Sequence, residues 1–119
     1  LWLLGSPQRI PAHVLDTITD PAHQVAVSAA SAMEISTKTR LGKLPEVGLV
    51  TNWQAEVARL QLLQWPIHAR HALLAGSMAW DHRDPFDRLL AAQALQESAT
   101  LVTVDQAFVT LPSVKLLSW

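Results

Sequence analysis

The sequence contains no cysteine. That excludes disulfides, thiolate zinc sites and cysteine nucleophiles, and it fits a reducing compartment. Glycine is scarce: Gly5, Gly42, Gly48 and Gly76 stand singly, so there is no glycine-rich loop to cradle a phosphate or a dinucleotide. No apolar run approaches the ~20 residues that span a bilayer. The Leu1–Leu4 run is too short for a signal-peptide core, so neither a membrane span nor a leader is expected. Charge of either sign is modest, nine Lys+Arg against ten Asp+Glu for a net −1, which excludes a high-pI protein that coats nucleic acid. A nucleic-acid substrate is permitted by this balance, not indicated by it. Tyrosine is absent while tryptophan occurs five times. Trp53 and Trp65 suit core positions, and Trp2 and Trp80 lie near apolar segments suited to a dimer or partner surface.

What remains is a globular composition, half hydrophobic in 119 residues, the size of a single domain over residues 1–119. Leu1–Leu4 reads as a helix tail stopped by Gly5 and Pro7, and Pro11 opens a short helix with Val14, Leu15 and Ile18 on one face. Gln24–Ser28 is short, apolar and β-branched, as a buried strand is. A helix follows over Ala29–Leu41, ended by Gly42, and Pro45–Gly48 is a loop. Thr51 or Asn52 caps a helix reaching about Leu60, with Trp53, Val57 and Leu60 on one face. Leu62–Ile67 is a strand weakened by Pro66, and His68–Met78 is a helix. The strongest helix signal spans Pro85–Glu97; Thr100–Val104 is a second buried strand, Asp105 begins a helical turn, and Val114–Ser118 is a last strand. Strands alternating with helices predict an α/β fold with a mostly parallel sheet covered on both faces.

In such sheets ligands bind beyond the carboxyl ends of the strands. Asp105 directly follows one strand, Glu34 comes early in the helix after another, and Asp84 and Asp87 open a helix whose start lies at the same edge. Neighbouring carboxylates repel unless a cation sits among them. Oxygen-only ligands suit Mg²⁺ or Mn²⁺, and the chemistry such a site best supports is metal-assisted phosphodiester hydrolysis. Each acid also has a plain structural reading. Asp84 is a natural N-cap before Pro85, Asp87 occupies a capping-box position, Asp105 can cap its own turn, and Glu34 can be a solvated helix residue. Asp87 fits that reading least, because helical spacing stacks it with Leu90, Ala91 and Ala94 on the face turned to the sheet, where an acid needs a partner. Arg83 and Arg88 flank these acids and suit either phosphate contact or pairing with the fold. His82 lies nearby as a loop residue. His68 and His71 share a helix face without enough further ligands for zinc. Lys38, Arg40 and Lys43 form a small basic run that suits a helix C-terminus.

Three stretches together resemble the PIN-domain proteins, and more narrowly the VapC-type toxins of bacterial type II toxin–antitoxin modules. They are Ser-Ala-Ala-Ser-Ala-Met-Glu-Ile over residues 28–35, the run His82-Arg83-Asp84-Pro85-Phe86-Asp87-Arg88-Leu89-Leu90-Ala91-Ala92-Gln93-Ala94, and Leu101-Val102-Thr103-Val104-Asp105-Gln106-Ala107-Phe108. The resemblance implies a PIN-like three-layer α/β sandwich around a central, mostly parallel sheet. It implies Mg²⁺- or Mn²⁺-dependent RNA hydrolysis by metal-activated water, giving a 3′-hydroxyl and a 5′-phosphate. The family's second, third and fourth metal-site acids fall on Glu34, Asp87 and Asp105, Asp84 matches an additional acid of the toxin branch, and Thr103 fills the small hydroxyl position before the last acid. Arg83, Arg88 and Thr103 are the substrate-contact candidates. A small cognate antitoxin, a homodimer and a cytoplasmic location are implied as well, with no membrane partner. The family's first, central strand and the Asp that ends it are expected ahead of Leu1. An inactive PIN remnant that only binds an antitoxin or a second copy is the alternative. A phosphotransfer domain is a weaker one, since no motif marks its nucleophile.

Overall fold

The structure, a computed structural model, describes residues 10–44 and 48–119. The expected helix tail at Leu1–Leu4, Trp2, and most of the Pro45–Gly48 loop lie outside the described residues. The chain divides into two compact units, Leu1–Pro66 and Ile67–Trp119.

In the N-terminal unit, α1 (Ala12–Thr19) starts behind Pro11 and buries Val14. Strand β1 (Ala26–Ser28) passes directly into α2 (Ala29–Arg40), because the Ser28 hydroxyl caps the helix by accepting from the Ala30 N–H at 3.1 Å. Helix α3 (Trp53–Arg59) leads to β2 (Leu63–Trp65), which pairs parallel to β1 in the register Ala26↔Leu63, Val27↔Gln64, Ser28↔Trp65. Pro66 has no N–H to continue the ladder, so β2 is shorter than the Leu62–Ile67 run suggests. The core is Ile35 and Leu49, with Leu44, Trp53, Leu60 and Leu62 packed against them. Trp53 is fixed there by its indole N–H, which donates to Gln64 Oε1 at 3.0 Å.

In the C-terminal unit, α4 (Ala69–Ser77) packs on α5 (Pro85–Gln96). Strand β3 (Thr100–Val102) pairs parallel to β4 (Lys115–Leu117), and a 3₁₀ turn, Gln106–Thr110, connects them. Ala91, Phe108, Leu111 and Val114 form the core, covered by Met78, Trp80, Leu95, Leu101 and Leu116. Of the stripe the helical spacing predicts, α5 buries Asp87, Ala91 and Ala94, while Leu90 is half-buried; it buries Ala92 and Gln93 as well.

Among the described residues, the strands form two parallel pairs, and each strand has one hydrogen-bonded neighbour. Parallel strands are ordinarily covered on both faces, yet Thr100 and Val102 of β3 are exposed. All four strands are three residues long, so Gln24, Val25, Thr103 and Val104 fall outside them. Pairing still reaches one residue further through the Leu63 N–H, which donates to the Val25 carbonyl at 2.9 Å.

Three helices end alike. A residue in the left-handed region (Gly42 at φ 70°, Gln61 at φ 55°, Ser98 at φ 54°) follows α2, α3 and α5. The next N–H then reaches back five residues: Lys43 to Lys38, Leu62 to Val57 and Ala99 to Ala94, at 2.9 to 3.0 Å. Gly42 takes that conformation freely, whereas Gln61 and Ser98 take it against their Cβ. Among the described residues no helix is long and apolar enough to cross a membrane.

Candidate metal centre

The start of α5 concentrates the chemistry of the C-terminal unit. Asp84 is its N-cap: Oδ1 accepts from the Phe86 N–H at 2.9 Å and the Asp87 N–H at 3.2 Å, and Pro85 takes the first helical position, where no N–H is needed. Both cap bonds fall on one oxygen, so Oδ2 takes no part in the cap. Asp87, one turn into the helix, is 8 % exposed. A carboxylate oxygen of Asp84 and one of Asp87 lie within 4.8 Å of each other. The positive end of the helix dipole favours anions at this place, which lets two acids approach.

Asp87 has the partner its burial demands. His82 Nε2 lies 2.6 Å from Asp87 Oδ2. An ionised carboxylate only accepts, so Nε2 carries the hydrogen. The His82 ring lies against the Trp80 indole, with centroids 5.0 Å apart, and Trp80 packs on Phe108 at 5.7 Å. The Trp80 N–H donates to Thr110 Oγ1 at 2.8 Å, tying this stack to the 3₁₀ turn.

Arg88 organises the segment that carries His82. Its Nε donates to the Ala75 carbonyl at 2.7 Å, one terminal nitrogen to the carbonyls of Trp80 (2.6 Å) and His82 (2.9 Å), and the other to Met78 at 2.7 Å. The sequence pattern puts Arg88 on the wet side of the helix. The side chain instead reaches into the turn between α4 and α5 and donates to four backbone carbonyls there. Nothing in the sequence announces this contact, because its acceptors are main-chain atoms. Arg83 is exposed.

Asp105 follows β3 and caps the 3₁₀ turn, Oδ1 accepting from the Ala107 N–H at 2.9 Å, while its own N–H donates to Thr103 Oγ1 at 3.1 Å. The Thr103 hydroxyl thus holds the backbone of Asp105 rather than its carboxylate. Asp105 does not join Asp84 and Asp87 as a third ligand within 4.8 Å. Glu34 belongs to the N-terminal unit, on α2, where Lys38 one turn later pairs with it at 3.2 Å.

Asp84 and Asp87 offer hard oxygen donors at a spacing one cation can bridge, so the residues present fit Mg²⁺ or Mn²⁺. The unit is thus an α/β arrangement that gathers Asp84 and Asp87 at the start of α5.

The sequence matches the model of the PIN domain over residues 1–113, and the chain belongs to that family. Its fold is similar to that of a chain in the crystal structure of VapBC2 from Rickettsia felis bound to a DNA fragment from their promoter. The TM-score is 0.56 at 19% identity, over 90% of this chain and 83% of that one, which is a likeness of fold. Among curated proteins none matches the chain. Nuclease activity is assigned at the level of the family.

Proposed function

We propose that this chain is a divalent-metal-dependent endoribonuclease of the VapC toxin type, held in check by a small antitoxin. The observation that carries this reading is the buried Asp87 beside Asp84 at the start of α5, with carboxylate oxygens within 4.8 Å. Family membership and the fold's likeness to a VapBC assembly support the nuclease and the antitoxin partner. Asp84 and Asp87 would hold the cation, and Glu34 and Asp105 stand at the positions of the family's other metal-site acids. A bound Mg²⁺ or Mn²⁺ supplies Lewis acidity at a phosphate oxygen and a more acidic water. Thr103 fixes the backbone of Asp105. Of the two arginines, Arg83 suits the RNA phosphate, because four N–H···O bonds already engage Arg88. A homodimer and a cytoplasmic location belong to the same proposal.

The test is cleavage of RNA by the full chain with and without Mg²⁺ or Mn²⁺. Asp87→Asn and Asp105→Asn are each expected to lower the metal-dependent rate by more than about 100-fold while leaving the melting temperature near that of the parent. Cleavage by both variants at the parent rate overturns the reading. Antitoxin binding with no metal-dependent cleavage by the parent favours an inactive binding module.

A further inference from the structure

We infer that His82 is a positioning residue that sets the carboxylate of Asp87 for the cation, an inference that rests on the metal-centre reading above. Three features of the geometry carry it. First, the His82 Nε2–H bond to Asp87 Oδ2 is short, 2.6 Å, and falls on the most buried of the candidate acids in this unit. A metal-binding carboxylate gains affinity when an outer hydrogen bond fixes its plane before the ion arrives. Second, the histidine is itself held on both sides. Its carbonyl accepts from Arg88 at 2.9 Å, and its ring rests on Trp80, which is anchored in turn to Thr110 and Phe108. Third, Arg88 and Asp87 are consecutive on α5. The helix turn that presents the acid therefore also staples the segment that delivers the histidine, and the two cannot drift apart without losing the Arg88 bonds.

A packing role and a positioning role make opposite demands on the side chain. Packing needs the flat ring against Trp80. Positioning needs an N–H at the place of Nε2. His82→Phe keeps the ring and removes the donor, whereas His82→Gln removes the ring and places an amide N–H near Nε2. The readout is Mn²⁺ affinity of the full chain without RNA, by calorimetry or paramagnetic resonance, alongside the melting temperature in chelator. His82→Phe is expected to weaken Mn²⁺ binding by about 10- to 100-fold and to melt somewhat lower in chelator, because buried Asp87 loses its donor. His82→Gln is expected to stay within about threefold of the parent, even if it melts lower. The reverse order, with Phe binding like the parent and Gln weakened, overturns the inference and makes His82 a packing residue.

Asp87→Asn separates this from the larger reading. If Asp87→Asn loses Mn²⁺ and His82→Phe does not, the positioning role alone is wrong. If Asp87→Asn binds Mn²⁺ as the parent does, or the parent binds none, both fall.

Discussion

The C-terminal unit contains two histidine–carboxylate pairs, and they are built inside out from each other. At the start of α4, His71 is the buried member, 1 % exposed, and Glu97 lies at the surface at 31 %. At the start of α5, the acid is the more buried member: Asp87 is 12 % exposed by side chain and His82 is 30 %. In the first pair the histidine serves the fold. Its Nδ1 accepts the His68 N–H at 2.9 Å, satisfying an orphan donor of the α4 N-terminus, which leaves Nε2–H to donate to Glu97 at 3.0 Å. Glu97 ends α5, where the helix dipole disfavours an acid. Hydrogen bonds from His71 and then Arg70, at 2.6 Å, hold its carboxyl below the usual carboxylate range. In the second pair the acid is the object and the histidine its holder. The same chemical contact thus means different things according to which partner is withdrawn from water. A buried acid beside a second acid suits a cation; an exposed acid already paired with Arg70 does not.

This contrast predicts that the two ends respond to different probes. The largest effect is expected at Arg88. Arg88→Met leaves four carbonyls without their charged donor and should lower the unfolding free energy by roughly 2–4 kcal/mol. Chemical denaturation measures that loss. Mn²⁺ affinity should fall with it, because the segment carrying His82 is released. Next, His71→Ala empties a fully buried position and removes the acceptor for the His68 N–H. It should cost roughly 2 kcal/mol while leaving Mn²⁺ affinity unchanged. A weakened Mn²⁺ site in that variant breaks the comparison.

The smallest effect is at Glu97 and lies in pH dependence. Its carboxyl is lowered in the fold from an ordinary value of 4.5. Its contribution is therefore present above that value and is lost as pH falls through the lowered folded value. Glu97→Gln should flatten the acid side of a melting-temperature profile below pH 4.5 and change little near neutrality. An unaltered acid limb removes Glu97 from the account.

Much of this was legible before any coordinates. The helix at Pro85 announces itself through Asp84 as cap, Pro85 as first residue and the Asp87/Leu90/Ala91/Ala94 stripe, of which the structure buries all but the half-buried Leu90. Ser28 and Asp105 cap the elements that follow β1 and β3 for the same local reason. Burial of Asp87 pointed to a partner, but not to which one. His82 is five residues away in a loop, and loop geometry depends on Arg88 reaching main-chain carbonyls, which leave no trace in residue spacing. Strand lengths were overread because a β-branched run such as Gln24–Ser28 favours extended backbone beyond the point where a neighbour supplies hydrogen bonds. The half-exposure of Trp65, expected in the core, has the same origin in a strand only three residues long.

The left-handed exits at Gln61 and Ser98 have an evolutionary side. Each is strained by roughly 1 kcal/mol relative to glycine, and each sits on the path into a strand rather than among the acids. A buried carboxylate such as Asp87 is a standing burden on folding, so substitutions that improve the site tend to erode stability. This chain keeps two repairs in reserve, at Gln61 and Ser98. Drift around the metal centre can be compensated at either joint, which makes the sequence more forgiving of change than its short strands suggest.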